Sequence, residues 1–171
     1  MVRPNEEAPK KLPDNYITME GLHRLQKRRQ TLIEERPLVL EQIQTAREMG
    51  DLSENAEYHA ARERQRNIDK ELSFLDSRIA ILKIIDPSKL PKDTIRFGAY
   101  VKLKETTTPD KEEIFHYHLV GIDEVYDRDD GILQVSFASP LGSAMIGKKV
   151  KDIFVVEAPK GQRTFEVLEI K

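Results

Sequence analysis

The sequence predicts an α+β protein: a long antiparallel α-helical coiled-coil hairpin, then a small antiparallel β-sheet domain with one short helix. Three observations predict it. Apolar residues recur by sevens on both sides of residue 52, prolines at 87 and 91 end that pattern, and alternation by twos takes over beyond them.

Residues 1–14 combine three prolines with charge and carry almost nothing to bury, so they read as a disordered N-terminal extension. Order is expected from Tyr16. Thr18 suits a helix N-cap, and Ile17 before it with Leu22 after it fits a hydrophobic staple. The hairpin is placed at 15–86. In its first arm Leu22, Arg29, Arg36 and Ile43 form one heptad series, and Leu25, Leu32, Val39 and Ala46 the other. In the second arm the series are Tyr58, Gln65, Leu72, Ile79 and Ala61, Ile68, Leu75, Leu82. Folding one arm onto the other pairs Leu22 with Leu82 and Leu25 with Ile79, and so on to Ala46 with Tyr58. The facing residue numbers always add to 104, which puts the fold-back at residue 52. Arms of roughly 30 residues extend about 45 Å.

The apex agrees. Gly50 suits the left-handed position after a helix, and Asp51 to Asn55 offer N-capping side chains for the returning helix, Asp51 and Glu54 at capping-box spacing. A linker is placed at 87–93 and the sheet domain at 94–171. Strands are expected where Ile95 to Leu103, Phe115 to Leu119 and Leu133 to Phe137 alternate, and at 152–157 and 163–170, with a short helix from Pro140 to Ile146 stopped by Gly147.

Composition excludes several function classes. The net charge of −2 gives no global attraction to nucleic acid or anionic lipid, so any such binding must be local. With no cysteine there are no disulfides, thiolate metal sites or cysteine nucleophiles. The apolar runs are too short for a membrane span, and the first residues lack a signal-peptide core, which makes a cytoplasmic address the expectation.

Two readings of Asp51 and Glu54 stay open on the residues alone. They cap the returning helix, or a slim acidic rod tip delivers two carboxylates, hard oxygen ligands, to a metal whose other ligands wait elsewhere. Arg62, Arg66 and Lys70 share a helix face at four-residue spacing and could meet a phosphate backbone, although a solvated face balanced by Glu63, Asp69 and Glu71 is the more economical reading. Arg29 and Arg36 are expected to snorkel out of the seam. His116 and His118 share a strand face without a third ligand and read as structural; His59 is at most a neighbour of the tip chemistry. No metal site is expected in the isolated protein, and no nucleophile elbow, P-loop or dinucleotide fingerprint is present.

The run from Ala46 to Glu63, AREMGDLSENAEYHAARE, resembles the coiled-coil tip of the bacterial transcript-cleavage factors of the GreA/GreB family. The resemblance continues at Tyr16–Gly21, Glu35–Pro37 and from Ser139 to Lys148, with a GreA-like tip and GreB-like stretches at Glu34–Pro37, Ile68–Lys70 and Gly121–Glu124. It implies an FKBP-like C-terminal domain and an elongation factor that enters the secondary channel of RNA polymerase. There it stimulates magnesium-dependent cleavage of the extruded RNA 3′ end by the polymerase. Asp51 and Glu54 would assist the shared Mg²⁺ and the water, with Ser53, Asn55, Glu57 and Tyr58 supporting the tip and the loop at Ser139–Pro140 docking on the channel rim. It further implies a monomer with no cofactor of its own. Ala138 and Ser143 depart from the family pattern and bear on rim docking. Two other readings are a non-cleaving channel inhibitor of the same fold and a prolyl isomerase with a coiled-coil adaptor, which predicts a pocket ringed by aromatics.

Overall fold

The computed structural model describes residues 13–50, 55–108, 111–159 and 161–171, and divides into two compact units. One is Leu22–Leu82. The other joins the chain before Leu22 to everything from Lys83 onward.

The first unit is the hairpin of α1 (Met19–Glu48) and α2 (Ala56–Ile81). Its buried core is Leu32, Val39, Ile43, Ala61, Ile68 and Leu75, with Leu25, Tyr58, Leu72 and Ile79 packed against it. Each occupies a seam position of the heptad pattern. The two seam arginines resolve as expected, keeping their stems along the core and their heads outside it. Arg29 Nε donates to Asp76 at 2.5 Å, and Arg36 Nε donates to Asp69 at 2.7 Å, each beside the buried leucine or isoleucine it would have faced. The opposite flank carries two two-pronged pairs, Arg28 to Glu71 at 2.6 and 2.8 Å and Arg64 to Glu35 at 2.5 and 2.6 Å. Pro37 lies inside α1 and removes one ladder hydrogen bond without ending the helix.

The second unit holds a five-stranded sheet: β3 (Tyr100–Thr108), β4 (Lys111–Val120), β5 (Leu133–Ser136), β6 (Ile153–Ala158) and β7 (Gly161–Ile170), in the order β5-β4-β3-β7-β6. Val101, Leu103, Tyr117, Leu119, Phe165 and Val167 face a core shared with Phe137, Met145, Phe154 and Val156. The short helix α3 (Pro140–Met145) is capped by Ser139 and followed by Gly147 at φ 80°.

Three expectations change. The sheet is not wholly antiparallel, since β5 runs parallel to β4, with Tyr117 opposite Leu133. The connection from Gly121 to Ile132, which includes a 3-10 turn at Ile122–Glu124, is long enough for the crossover that parallel pairing needs. The strand expected from Ile95 begins only at Tyr100. Ile95 and Phe97 are buried as their alternation implied, but Gly98 at φ 78° turns the chain between them and the strand. The boundary expected at 86–87 also differs. α2 ends at Ile81, and the short strands β1 (Tyr16–Ile17) and β2 (Lys83–Ile84) pair in parallel and belong to the sheet unit. Fully buried Ile17 gives that pairing its reason.

Candidate functional site

The apex is built from both helix ends. Beyond Glu48 the chain reaches Gly50 at φ 90°, a conformation open to glycine at no steric cost, and the Gly50 N–H donates to the Arg47 carbonyl at 3.4 Å. On the return Asn55 is the N-cap of α2. Its Oδ1 accepts from the Tyr58 N–H at 3.2 Å, while its Nδ2 donates to the Ala46 carbonyl at 3.1 Å. One amide side chain therefore satisfies an orphan donor of one helix and an orphan acceptor of the other. Nearly buried Ala46 and Ala61 let the helices approach closely here. The Tyr58 ring meets His59 edge-on at 5.6 Å, and the Arg47 guanidinium lies 5.8 Å from its centroid. Glu57, in the first turn of α2, is exposed. Asp51, Ser53 and Glu54 lie outside the described residues.

The basic stretch behind the apex is differently neutralised than expected. Arg62 donates to Gln65 at 2.8 Å, and Arg64 is held by Glu35 of the other arm. Asp69 and Glu71, expected to balance this face, are instead engaged across the hairpin by Arg36 and Arg28. The antiparallel register brings those pairs together. Arg66 and Lys70 are consequently exposed and form no ion pair with a described residue. The hydrogen bond from Arg64 holds the Glu35 carboxyl below its usual range, and that from Arg28 does the same to Glu71.

In the sheet domain Ser139 is occupied locally. Its Oγ accepts from the Gly142 N–H at 3.0 Å and donates to the Ser136 carbonyl at 2.7 Å, while Pro140 beside it is exposed. His116 and His118 stand in different surroundings. His116 is exposed; His118 is buried with its ring stacked on Tyr100 at 4.0 Å. No group of three or more metal-ligating side chains occurs among the described residues. Burial first, and the Arg128 charge second, lower the His118 pKa to about 4. A cavity of 160 Å³ beside the 3-10 turn Pro87–Lys89 is lined by only two aromatic side chains, Phe97 and Tyr100, and not by the aromatic ring that an isomerase reading needs. No described helix is long and apolar enough to cross a membrane.

Two features escaped the sequence reading. Glu124 is buried and serves as an internal clamp, and Asn55 bridges the two helices. The Glu124 spacing from Gly121 marks only a short turn, and nothing local announces a partner at Thr18, over a hundred positions away. Asn55 was legible as a capping residue type, but not as the bond to Ala46.

The comparisons with known proteins agree on both halves of the chain. The family description "Transcription elongation factor, N-terminal" fits residues 15–84, and "Transcription elongation factor, GreA/GreB, C-term" fits residues 90–171. A protein named Transcription elongation factor GreA from a Nitratiruptor species is 44% identical over 154 residues, spanning 90% of this chain and 91% of its own. Another of that name from Rhodospirillum rubrum is 44% identical over 156 residues, spanning 91% and 96%. Among solved structures, the GreA factor homolog 1 (Gfh1) of Thermus thermophilus aligns over 91% of this chain and 97% of its own, at 24% identity and a TM-score of 0.40.

Proposed function

This chain belongs to the GreA/GreB family of transcription elongation factors, and from that premise we propose that it stimulates RNA polymerase to cleave backtracked transcripts. The observation that carries the reading is the apex: Asn55 caps α2 and ties it to α1, so the returning helix has a side-chain cap other than the two acidic residues of the turn.

In this reading a single copy inserts its hairpin into the polymerase secondary channel. The chain is not an enzyme by itself; Asp51 and Glu54 complete a site inside the polymerase. A pair of carboxylates suits magnesium, which takes only one or two from protein and fills its shell with water and phosphate oxygens. When bound, magnesium shared with the polymerase would neutralise charge on the scissile phosphate and acidify a water. Asp51 and Glu54 would hold the ion and orient a water; as the water oxygen adds at phosphorus the bond to the RNA 3′ oxygen breaks, and that oxygen leaves as a hydroxyl with the proton the water gives up. Asn55 and Tyr58 hold the turn, with Ser53 and Glu57 beside the carboxylates. Arg62, Arg66 and Lys70 lie on the extruded RNA, Arg66 and Lys70 with their charges unspent. Ser139 and Pro140 meet the channel rim, the serine through its backbone and the proline through its exposed ring. The same reading places the protein in the cytoplasm.

The experiment is cleavage in a stalled, backtracked polymerase complex. Asp51→Ala and Glu54→Ala each reduce stimulated cleavage by on the order of a hundredfold, the scale of losing one preorganised transition-state contact, and leave binding to polymerase intact. Unchanged cleavage sinks the mechanism. Slowed elongation without cleavage by the unaltered chain assigns it instead as a channel inhibitor.

A further inference from the structure

The outer face of the sheet carries a hollow of 210 Å³. Val101 and Tyr117, whose side chains belong to the core, present their backbone as its floor. Its walls are Tyr100 and Lys102 on β3, His116 on β4, Ile132 just before β5, and Glu169 and Lys171 at the end of the chain.

Charge in the hollow is unbalanced. Lys104, one row along β3, is taken by Glu112 at 2.6 Å, and Lys171 by Glu169 at 3.0 Å. Lys102 sits in the row between, opposite His116 on one side and Glu169 on the other. The acid it faces is thus already engaged, and Lys102 forms no ion pair with a described residue. Beside this cation stands a fixed ring. Tyr100 stacks on buried His118 at 4.0 Å with the planes 6° apart, and 37% of the residue remains exposed. A side chain locked in that way offers a planar surface at little further cost in rotamer entropy.

We propose that the hollow binds a nucleotide, with the base against Tyr100 and Ile132 and the phosphate on Lys102 and His116. Lysine meets phosphate as a point charge, and an imidazole can donate to it in either protonation state. Glu169 gives Oε1 to Lys171 and keeps Oε2 to accept from a sugar hydroxyl. A bare phosphate leaves the apolar walls unused, and an acidic side chain alone brings no planar ring to Tyr100. At 210 Å³ the hollow falls below the roughly 300–1,000 Å³ of sites for drug-sized ligands. It has room for one base with the phosphate at its rim, and not for successive bases of a strand. The ligand is exchangeable and comes from solution; the chemistry at the apex does not need it. The inference rests on the sheet alone and is tested without polymerase.

The test is titration of the full chain with adenosine 5′-monophosphate, followed by NMR. Binding is expected to shift the Tyr100 and His116 ring resonances together, and to weaken as salt is raised. Lys102 points away from the core, so Lys102→Glu leaves the circular dichroism spectrum unchanged while weakening binding at least tenfold. Lys102→Arg retains it. Tyr100→Leu, which removes the stacking surface, weakens it about tenfold. Inorganic phosphate and adenosine, each carrying half of the ligand, bind at least tenfold more weakly than the nucleotide. Four outcomes overturn the proposal: no ring shift at millimolar nucleotide, phosphate bound as tightly as nucleotide, a Lys102→Glu protein that binds like the unaltered chain, or a tetraadenylate strand bound at least tenfold more tightly than the mononucleotide.

Discussion

Glu124 has 3% of its surface exposed, and its carboxylate is filled with donors: the backbone N–H of Thr18 at 3.2 Å, the Thr18 hydroxyl, and the N–H of Gly121 at 2.9 Å. Thr18 in turn accepts from the Gly21 N–H at 3.1 Å, the N-cap bond expected from its position before α1. Glu124→Ala leaves these donors buried and unpaired and costs the sheet unit about 3 kcal/mol in chemical denaturation. A methyl group at Gly21 collides with the Glu124 side chain, so Gly21→Ala acts on the same clamp. The double variant falls well short of the sum of the two singles. His118 gives a second residue-scale expectation. It is neutral when folded, with a pKa of about 4 against an ordinary 6.5, because burial and Arg128 outweigh the opposing Glu20, Asp130 and Gly98 carbonyl. The unfolded chain therefore binds more protons between those values. Stability falls as pH drops from about 6.5 to about 4, by at most about 3 kcal/mol, and levels off below. His118→Phe flattens that slope in denaturation curves recorded across the window. Neither role is visible in a string of letters. A lone glutamate in a turn and a histidine two places from another look like surface residues until the fold brings Thr18 and Tyr100 to them.

At the scale of the element, the hairpin was almost wholly legible because eight seam layers repeat one spacing, and a repeat that long outvotes two intruding arginines. Ile68→Ala in a fully buried layer costs about 3 kcal/mol, the transfer loss plus the cavity. Arg36→Leu moves the other way. It exchanges an exposed ion pair worth well under 1 kcal/mol for apolar contact with Ile68, and raises hairpin stability by about 1 kcal/mol in the same measurement. Apart from the early start expected at Ile95, the strands were legible in position but not in direction, since alternation by twos reads the same for parallel and antiparallel neighbours. β5 shows it: Leu133 and Val135 marked the strand, and only the crossover before it sets its sense. The carboxylates of the apex were legible as residue types at a fold-back, with the choice between capping and metal delivery left to context.

At the scale of the molecule, the two cores share no residue: one is the heptad seam, the other the inner face of the sheet. Calorimetry is expected to resolve two transitions. Leu32→Ala lowers one midpoint and Val167→Ala the other, each leaving its counterpart in place within about 0.5 kcal/mol, and a single transition moved by both variants rules this independence out. The division at Gly21 and Lys83 was not legible because Ile17 and Ile84 look like the natural start and finish of the helical pattern, whereas their segments pair as strands, Ile17 accepting from the Ile85 N–H and Asn15 from the Lys83 N–H. That pairing has a consequence for length. It sets the entrance and exit of the hairpin on neighbouring strands, about 4.8 Å apart, whatever lies between them. Seven residues added to each arm preserve every facing pair and advance the turn by about 10 Å, whereas an increment that is not a whole number of heptads breaks the seam. The hairpin is a gauge with discrete settings: its length changes without loss of the seam only in steps of a heptad.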